Sequence, residues 1–197
     1  MENGFTYKNI IDPILKPMRF RVVNEINPGE RVIDIACGTG AQAFELIKNG
    51  NSVTGIDYSR SMIAHARKTC KKRNITNAEF FVEDATNLSR FYSRNFDVAT
   101  LSLALHQFKP ELYSAILDEM RKVAKRIIII DYAVPLPNNY AGIGSRIAEF
   151  FAGNEHNQNF KKYYKTGGLN QILSNNKLSI EKTVLFGKDA FQLVVAY

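Results

Sequence analysis

The sequence predicts an α/β fold: a doubly wound, mostly parallel seven-stranded sheet that ends in a C-terminal antiparallel hairpin. Three observations predict it. Short β-branched runs alternate with amphipathic segments from about residue 31 to residue 132, the pattern of strands joined by crossover helices. The first run breaks at Gly38-Thr39-Gly40 and passes straight into a helical pattern. Two apolar runs, at about 178–186 and 190–197, flank Gly187-Lys188-Asp189, which is a hairpin signal.

The elements follow in order. A helical segment from Tyr7 to Glu25, bearing Pro13 and Pro17, makes residues 1–28 an N-terminal helical cap. Val32, Ile33 and Ile35 mark a buried strand at 31–36, and Ala43, Phe44 and Ile47 recur at helical spacing over 41–49. Strands are expected next at 52–57, 79–83, 96–102 and 126–132, with helices at 60–73 and 110–124 and a weak one around 86–92. Residues 135–175 carry helix signals in AGIGSRIAEFFAG and FKKYYKTGGLNQILSNN, and are read as a lid insertion. No repeat, linker or low-complexity tract divides the chain, so one domain is expected over 1–197.

Composition narrows the function classes. With 45% hydrophobic and 23% charged residues the chain is of ordinary globular type and long enough to bury a core. The opening MENGFTYKN is polar and the longest wholly apolar run is Ile127 to Ile130, so neither a signal peptide nor stable membrane insertion is expected. Cys37 and Cys70 have no metal-like spacing, so free thiols, a cytoplasmic setting and no metal site are expected. Cys37 lies in the glycine loop, where a small filler is the expected role rather than a nucleophile.

A net charge of +7 invites a nucleic-acid reading. Its clusters argue otherwise. Arg67, Lys68, Lys71, Lys72 and Arg73 end one helix and Arg121, Lys122, Lys125 and Arg126 another, where cations complement the helix dipole at the sheet edge remote from a ligand.

Acids at strand ends carry the functional signal. Strand, glycine turn and helix bring a ligand against backbone N–H groups. Gly38 to Ala43 fits a relaxed dinucleotide fingerprint, but Asp34 stands four residues before Gly38, where its charge would face the ligand. A carboxylate there suits a cation better than a pyrophosphate. Asp57 ends the second strand, where an acid accepts hydrogen bonds from ribose hydroxyls. Asp84 follows the third and is placed to accept from an exocyclic amine. Taken singly, Asp57 and Asp84 read as turn residues; as a set with Asp34 they read as a ligand edge.

This series resembles the class I S-adenosylmethionine-dependent methyltransferases, whose fold is Rossmann-like. DIACGTG matches the first motif of that family, GIDYSRSMIAHAR the second, VEDATNL the third and FDVATLSLALHQF the fourth, over roughly Gly29 to Tyr132. Within it the chain is similar to the small-molecule branch that includes the ubiquinone and menaquinone biosynthesis methyltransferases. The resemblance implies S-adenosylmethionine as cofactor, with its methionine end on Asp34, Ala36 and the Gly38 to Gly40 backbone. It implies Asp57 on the ribose, Tyr58 and Met62 flanking the adenine, Asp84 and Ala85 contacting it, and Leu101 beside the sulfonium. Core packing of Met62 is an equal alternative. Ala36 stands where the family often has glycine, and its small size is expected to suffice.

The acceptor then sits opposite the sulfonium, within reach of Phe5 and Tyr7, of His106 and Gln107, and of the insertion. The insertion offers Tyr132, Tyr140, Phe150, Phe151, His156, Phe160, Tyr163 and Tyr164, of which some pack the lid and some wall a small-molecule pocket. His106 and His156 are the candidate catalytic residues, since imidazole can take a proton near neutral pH. Each also has a structural reading, His106 shaping its loop and His156 anchoring the lid. Asp131 is read as a loop cap or an acceptor contact. Gly142, Gly144, Gly153, Gly167 and Gly168 are read as hinges that let the lid close.

The expected function is methyl transfer to a small organic acceptor by direct displacement. The alternatives are an RNA methyltransferase using Lys161, Lys162 and Lys165, or a non-catalytic regulatory protein that holds the cofactor. The oligomeric state is not legible in the sequence. Reversing Lys71 and Lys72 to Glu should leave turnover and cofactor affinity nearly unchanged. A large, salt-dependent loss in that variant would point to a polyanionic substrate.

Overall fold

The structure, a computed structural model, describes residues 12–151 and 153–197. Phe5 and Tyr7, and the first part of the expected N-terminal cap, lie outside the described residues. Seven helices are described: α1 (Asp12–Asn24), α2 (Ala41–Lys48), α3 (Arg60–Arg73), α4 (Tyr113–Val123), α5 (Tyr140–Phe151), α6 (Asn154–Thr166) and α7 (Gly168–Asn175). Seven strands form one sheet: β1 (Arg31–Ile35), β2 (Ser52–Asp57), β3 (Ala78–Val82), β4 (Phe96–Ser102), β5 (Ala124–Tyr132), β6 (Ile180–Phe186) and β7 (Phe191–Ala196). Their spatial order is β3-β2-β1-β4-β5-β7-β6. The first five are parallel, and β7 runs antiparallel to both β5 and β6. This is the doubly wound, Rossmann-like sheet with a closing hairpin.

Side-chain alternation builds the two layers. Along β5, Ile127 and Ile129 enter one core and Ile128 and Ile130 the other, because successive strand residues point to opposite faces. On the first face Phe91, Ile116, Leu117, Met120, Phe160, Tyr163, Leu169 and Ile172 supply the cover, which comes from α4, α6, α7 and a 3₁₀ turn. On the second face Met18, Val22, Val23, Phe44, Leu46, Ile63 and Ala66 do so from α1, α2 and α3. Each such apolar side chain contributes roughly 1.5–3 kcal/mol by leaving water. The N-terminal helix therefore completes a layer of the core. No described helix is long and apolar enough to cross a membrane.

Several local expectations are corrected. The weak helix at 86–92 is a 3₁₀ helix, Ser89–Arg94, and the helix expected from residue 110 begins with a 3₁₀ turn, Pro110–Leu112. Lys125 and Arg126 belong to β5 rather than to a helix end. Arg126 holds the Glu25 carbonyl and the Glu30 carboxylate. Arg67 does not simply face water: its Nε and Nη2 both donate to the Phe80 carbonyl, at 2.8 and 2.6 Å. Gly142 and Gly168 are close-packing glycines and not free hinges, since a Cβ would come within 2.0 Å of the Pro137 carbonyl oxygen and 2.7 Å of Val134.

Gly55 shows the same constraint at the heart of the sheet. It lies on β2 beside Asp34, and the Phe80 ring of β3 covers it. A Cβ there would sit 2.5 Å from the Phe80 ring and 2.9 Å from the Cys37 sulfur. Phe80 is buried and packed against Phe44, so it has little room to give way. Gly55→Ala should destabilise the protein by about 1–3 kcal/mol. Denaturant unfolding with an unchanged midpoint would contradict this packing.

Candidate functional site

Five parallel strands place their carboxyl ends on one edge, where an open α/β sheet binds its ligands. The β1–α2 loop is built at that edge by two backbone–backbone hydrogen bonds and one from backbone to side chain. Cys37 N–H extends the ladder to the Ile56 carbonyl at 2.9 Å, Gly40 N–H closes a turn onto the Cys37 carbonyl at 2.9 Å, and Gly38 N–H donates to Asp57 Oδ2 at 2.8 Å. The other oxygen of Asp57 accepts from Ser59 N–H at 2.8 Å. Asp57 thus ties the glycine loop to the start of α3, and an ionised carboxylate retains further acceptor capacity. Gly38 has a φ of 54° with nothing within 4 Å of where a Cβ would point, which leaves open space beside the loop. Ala36 also has a positive φ, 54°. Glycine suits that position because of backbone conformation, so small size is not the whole reason, and alanine costs about 1–2 kcal/mol there.

Asp34 is not turned freely toward a ligand, as its place in the sequence suggests. Its side chain is buried on the α1–α2–α3 face, where Thr100 of β4, its register partner, donates to Oδ1 at 2.8 Å. Oδ2 is buried with no hydrogen-bond partner among the described residues. Desolvation pushes the carboxyl up to about 7; the Thr100 hydrogen bond opposes that shift and the charge of Asp57 adds to it. The same burial, with the Asp34 and Asp57 charges, holds the Cys37 thiol well above its ordinary range, which favours the neutral thiol over the thiolate that a nucleophile needs.

The remaining cofactor-side candidates separate. Tyr58, just past the end of β2, is 80% exposed, and Met62 is half-buried in the first turn of α3, its N–H on the Ser59 hydroxyl at 3.4 Å. Asp84 accepts from both the N–H and the hydroxyl of Thr86, which is a local turn. Ala85 and Leu101 are buried in the core on the α4 face. A residue absent from the sequence reading fixes this region: buried Glu119 of α4 accepts from Leu88 N–H and from the Tyr92 hydroxyl.

The edge beyond β4 and β5 is organised by Asp131. Near the end of β5 it is wholly buried and accepts three hydrogen bonds: from Tyr132 N–H at 2.7 Å, from His106 N–H at 3.1 Å and from His106 Nδ1 at 2.6 Å. It is loop cap and histidine partner together. His106 sits in the 3₁₀ turn Leu105–Gln107 and is only 2% exposed. His156 lies in the first turn of α6, not in a loop, and its Nε2 is 3.4 Å from His106 Nε2 with the rings stacked at 21°. Helix α6 is docked by Asn159 Nδ2 on the Gln107 carbonyl at 2.8 Å and by the Tyr163 hydroxyl on the Tyr132 carbonyl at 2.8 Å. Tyr132, Phe160 and Tyr163 are core aromatics around His106, whereas Tyr140 is 70% exposed. The side chains of Phe150 and Phe151 lie outside the described residues. Lys161, Lys162 and Lys165 are exposed on α6.

Comparison with known proteins bears on this edge. Residues 32–126 match a family model described as a methyltransferase domain. A demethylmenaquinone methyltransferase of Beutenbergia cavernae is 34% identical over 111 residues, 55% of this chain and 43% of that one. An aklanonic acid methyltransferase of a Streptomyces species is 34% identical over 134 residues, 62% of this chain and 60% of that one. The chain thus spans about half the length of these relatives. Among solved structures, a magnesium protoporphyrin IX methyltransferase of Synechocystis with bound SAM superposes with a TM-score of 0.63 at 20% identity, over 100% of this chain and 85% of that one. A SAM dependent methyltransferase of Aquifex aeolicus gives 0.64 at 18% identity, over 94% and 97%. Both share the fold.

The buried Asp34 carboxyl leaves a measurable signature. Its folded value, about 7, lies above the ordinary 3.8 of an exposed chain, so the folded state holds this proton more tightly. Stability should therefore fall as pH rises from about 4 to about 7, by up to about 4 kcal/mol from this group. Asp34→Asn should remove that fall while abolishing binding of a cationic ligand. Urea titrations at several pH values check it; parallel stability–pH curves for the two proteins would refute the assignment.

Proposed function

We propose that this chain, which carries a class I methyltransferase domain, transfers the methyl group of S-adenosylmethionine to a small organic acceptor by direct displacement. The observation that supports this most is the buried, unpartnered Asp34 Oδ2 on β1, the strand that leads into the open space beside Gly38. A buried carboxyl with an orphan oxygen costs free energy unless a donor arrives. The α-ammonium of a methionine moiety is such a donor, and a dinucleotide pyrophosphate is not.

The residues present fit the group, and their tasks follow from position. Asp34 would take the ammonium, and its ionised form would be favoured by that cation. Gly38 would leave room beside the loop for the methionine end, while Gly40 lets the loop pack against Phe80, and Ala36 would shape its entry. Asp57 would accept from the ribose hydroxyls while it holds the Gly38 N–H. Tyr58 and Met62 would flank the adenine and the segment Asp84-Ala85 would meet its edge. Leu101, a core side chain, would contribute the firm strand end beside the sulfonium. When bound, S-adenosylmethionine supplies a methyl group on a positively charged sulfur.

A direct displacement asks the protein mainly for alignment. Residues 135–175 would cover the acceptor side, with α6 docked on the Leu105–Gln107 turn so that His106 and His156 face the reaction edge as candidate bases. The described helix ends bearing Lys71, Lys72, Arg121 and Lys122 lie at the opposite edge, which favours a small acceptor over RNA.

Titration calorimetry with S-adenosylhomocysteine should show micromolar binding. Asp57→Ala should weaken it by about 1–3 kcal/mol through lost charge-assisted hydrogen bonds. Release of S-adenosylhomocysteine should be seen with a metabolite pool and not with RNA. Tighter binding of a nicotinamide dinucleotide would sink this reading.

A further inference from the structure

The geometry around His106 says what the acceptor must lose. Two backbone N–H groups already donate to Asp131, the environment of an acceptor carboxylate, and a carboxylate there puts the hydrogen of the 2.6 Å contact on His106 Nδ1. The two backbone N–H groups on the same carboxylate fix it against rotation. Proton exchange at this ring is thereby assigned to Nε2, the atom 3.4 Å from His156 Nε2. Two bare ring nitrogens facing each other repel, and the contact is favourable when one hydrogen lies between them. Burial sets the direction, since His106 is only 2% exposed while His156 is half-buried on the outer side, in the first turn of α6.

We propose that His156 and His106 form a two-imidazole relay, backed by Asp131, that removes a proton from the acceptor; the acceptor therefore arrives un-ionised, and among such acceptors we assign a hydroxyl compound. The proposal rests on the methyltransferase reading and adds the acceptor class to it. In the step, the acceptor oxygen forms a bond to the methyl carbon, and the carbon–sulfur bond breaks with its electron pair going to sulfur. The hydroxyl proton passes to the Nδ1 of His156, whose Nε2 hydrogen moves to His106 Nε2. The positive charge then rests on the ring nearest Asp131. An acceptor already ionised, such as a carboxylate, needs none of this.

The titratable and charged groups facing the pair, among the described residues, are few. Asp131 and Tyr132 come from β5, Tyr163 from α6, and Tyr113 of α4 is close enough to feel the Asp131 charge. The Lys109–Glu155 pair is at the exposed end of α6, 3.8 Å apart.

The test begins with the whole protein, ¹⁵N-labelled at its three histidines. Ring nitrogen shifts should show His106 protonated at Nδ1 in its neutral form. They should also show His106 and His156 taking up protons as one coupled pair. Asp131→Asn should release the His106 tautomer. In turnover, His156→Gln should lose about 10²–10³-fold with phenol, yet far less with 4-nitrophenol at mildly alkaline pH, where that acceptor is already ionised. Independent titrations, or an Nε2-protonated neutral His106, would overturn the relay even if Asp131→Asn fails to fold. Equal losses with both phenols, or no methylation of either, would overturn the acceptor class. Calorimetry with S-adenosylhomocysteine separates the two readings: wild-type binding with independent titrations fails the relay alone, and no binding fails the methyltransferase reading itself.

Discussion

A carboxyl group buried in the second layer of the sheet, with one oxygen satisfied and one not, is the constraint around which this molecule is arranged. Asp34 occupies a wholly interior strand position between Ile33 and Ile35, and among the described residues only Thr100 on the adjoining strand answers it. Leaving the second oxygen bare costs on the order of 1–3 kcal/mol. The surroundings tolerate this because the rest of the layer is dense: Gly55 lets Phe80 close over the strand, and Cys37 fills the corner beside it. A site that is uncomfortable when empty gains more from a cationic ligand than one already satisfied.

A second clamp, chemically the opposite, holds the sheet edge at the end of β5. Asp131 is as buried as Asp34 but has its hydrogen bonds supplied by two backbone N–H groups and an imidazole. It needs no ligand, and it fixes the orientation of His106 before one arrives. The two acids sit on neighbouring regions of one sheet edge and do different work because their partners differ. Asp57 lies between these extremes, with each oxygen engaged by one backbone N–H and capacity left over.

The basic surplus fits the same division of labour. Lys71, Lys72 and Arg73 close α3, and Arg121 and Lys122 close α4 with partners in Asp118 and Glu119. Cations at helix C-termini are stabilising by a few tenths of a kcal/mol to about 1 kcal/mol each, whatever the substrate. Net charge by itself therefore says little about what this edge binds.

Periodicity and punctuation in the sequence were enough for the architecture. Alternating β-branched runs and helical patterns, the glycine break after β1 and the Gly187-Lys188-Asp189 turn determined seven strands, their direction and the closing hairpin, because strand and helix periods are local properties. The order of acids along the chain likewise placed Asp34 and Asp57 near the carboxyl ends of β1 and β2. Partnerships across the sheet were decided by tertiary structure alone. Thr100 meets Asp34 only once β4 lies beside β1, and Ala36 takes its left-handed conformation in a loop whose Gly38 N–H reaches Asp57. Asp131 was visible as an acid at a strand end, but its hold on His106 spans 25 residues, and the contact of His106 with His156 spans 50 and needs α6 docked on the 3₁₀ turn. A hydrogen bond depends on distances of a few tenths of an ångström between residues far apart in the chain, and local sequence pattern carries no record of them.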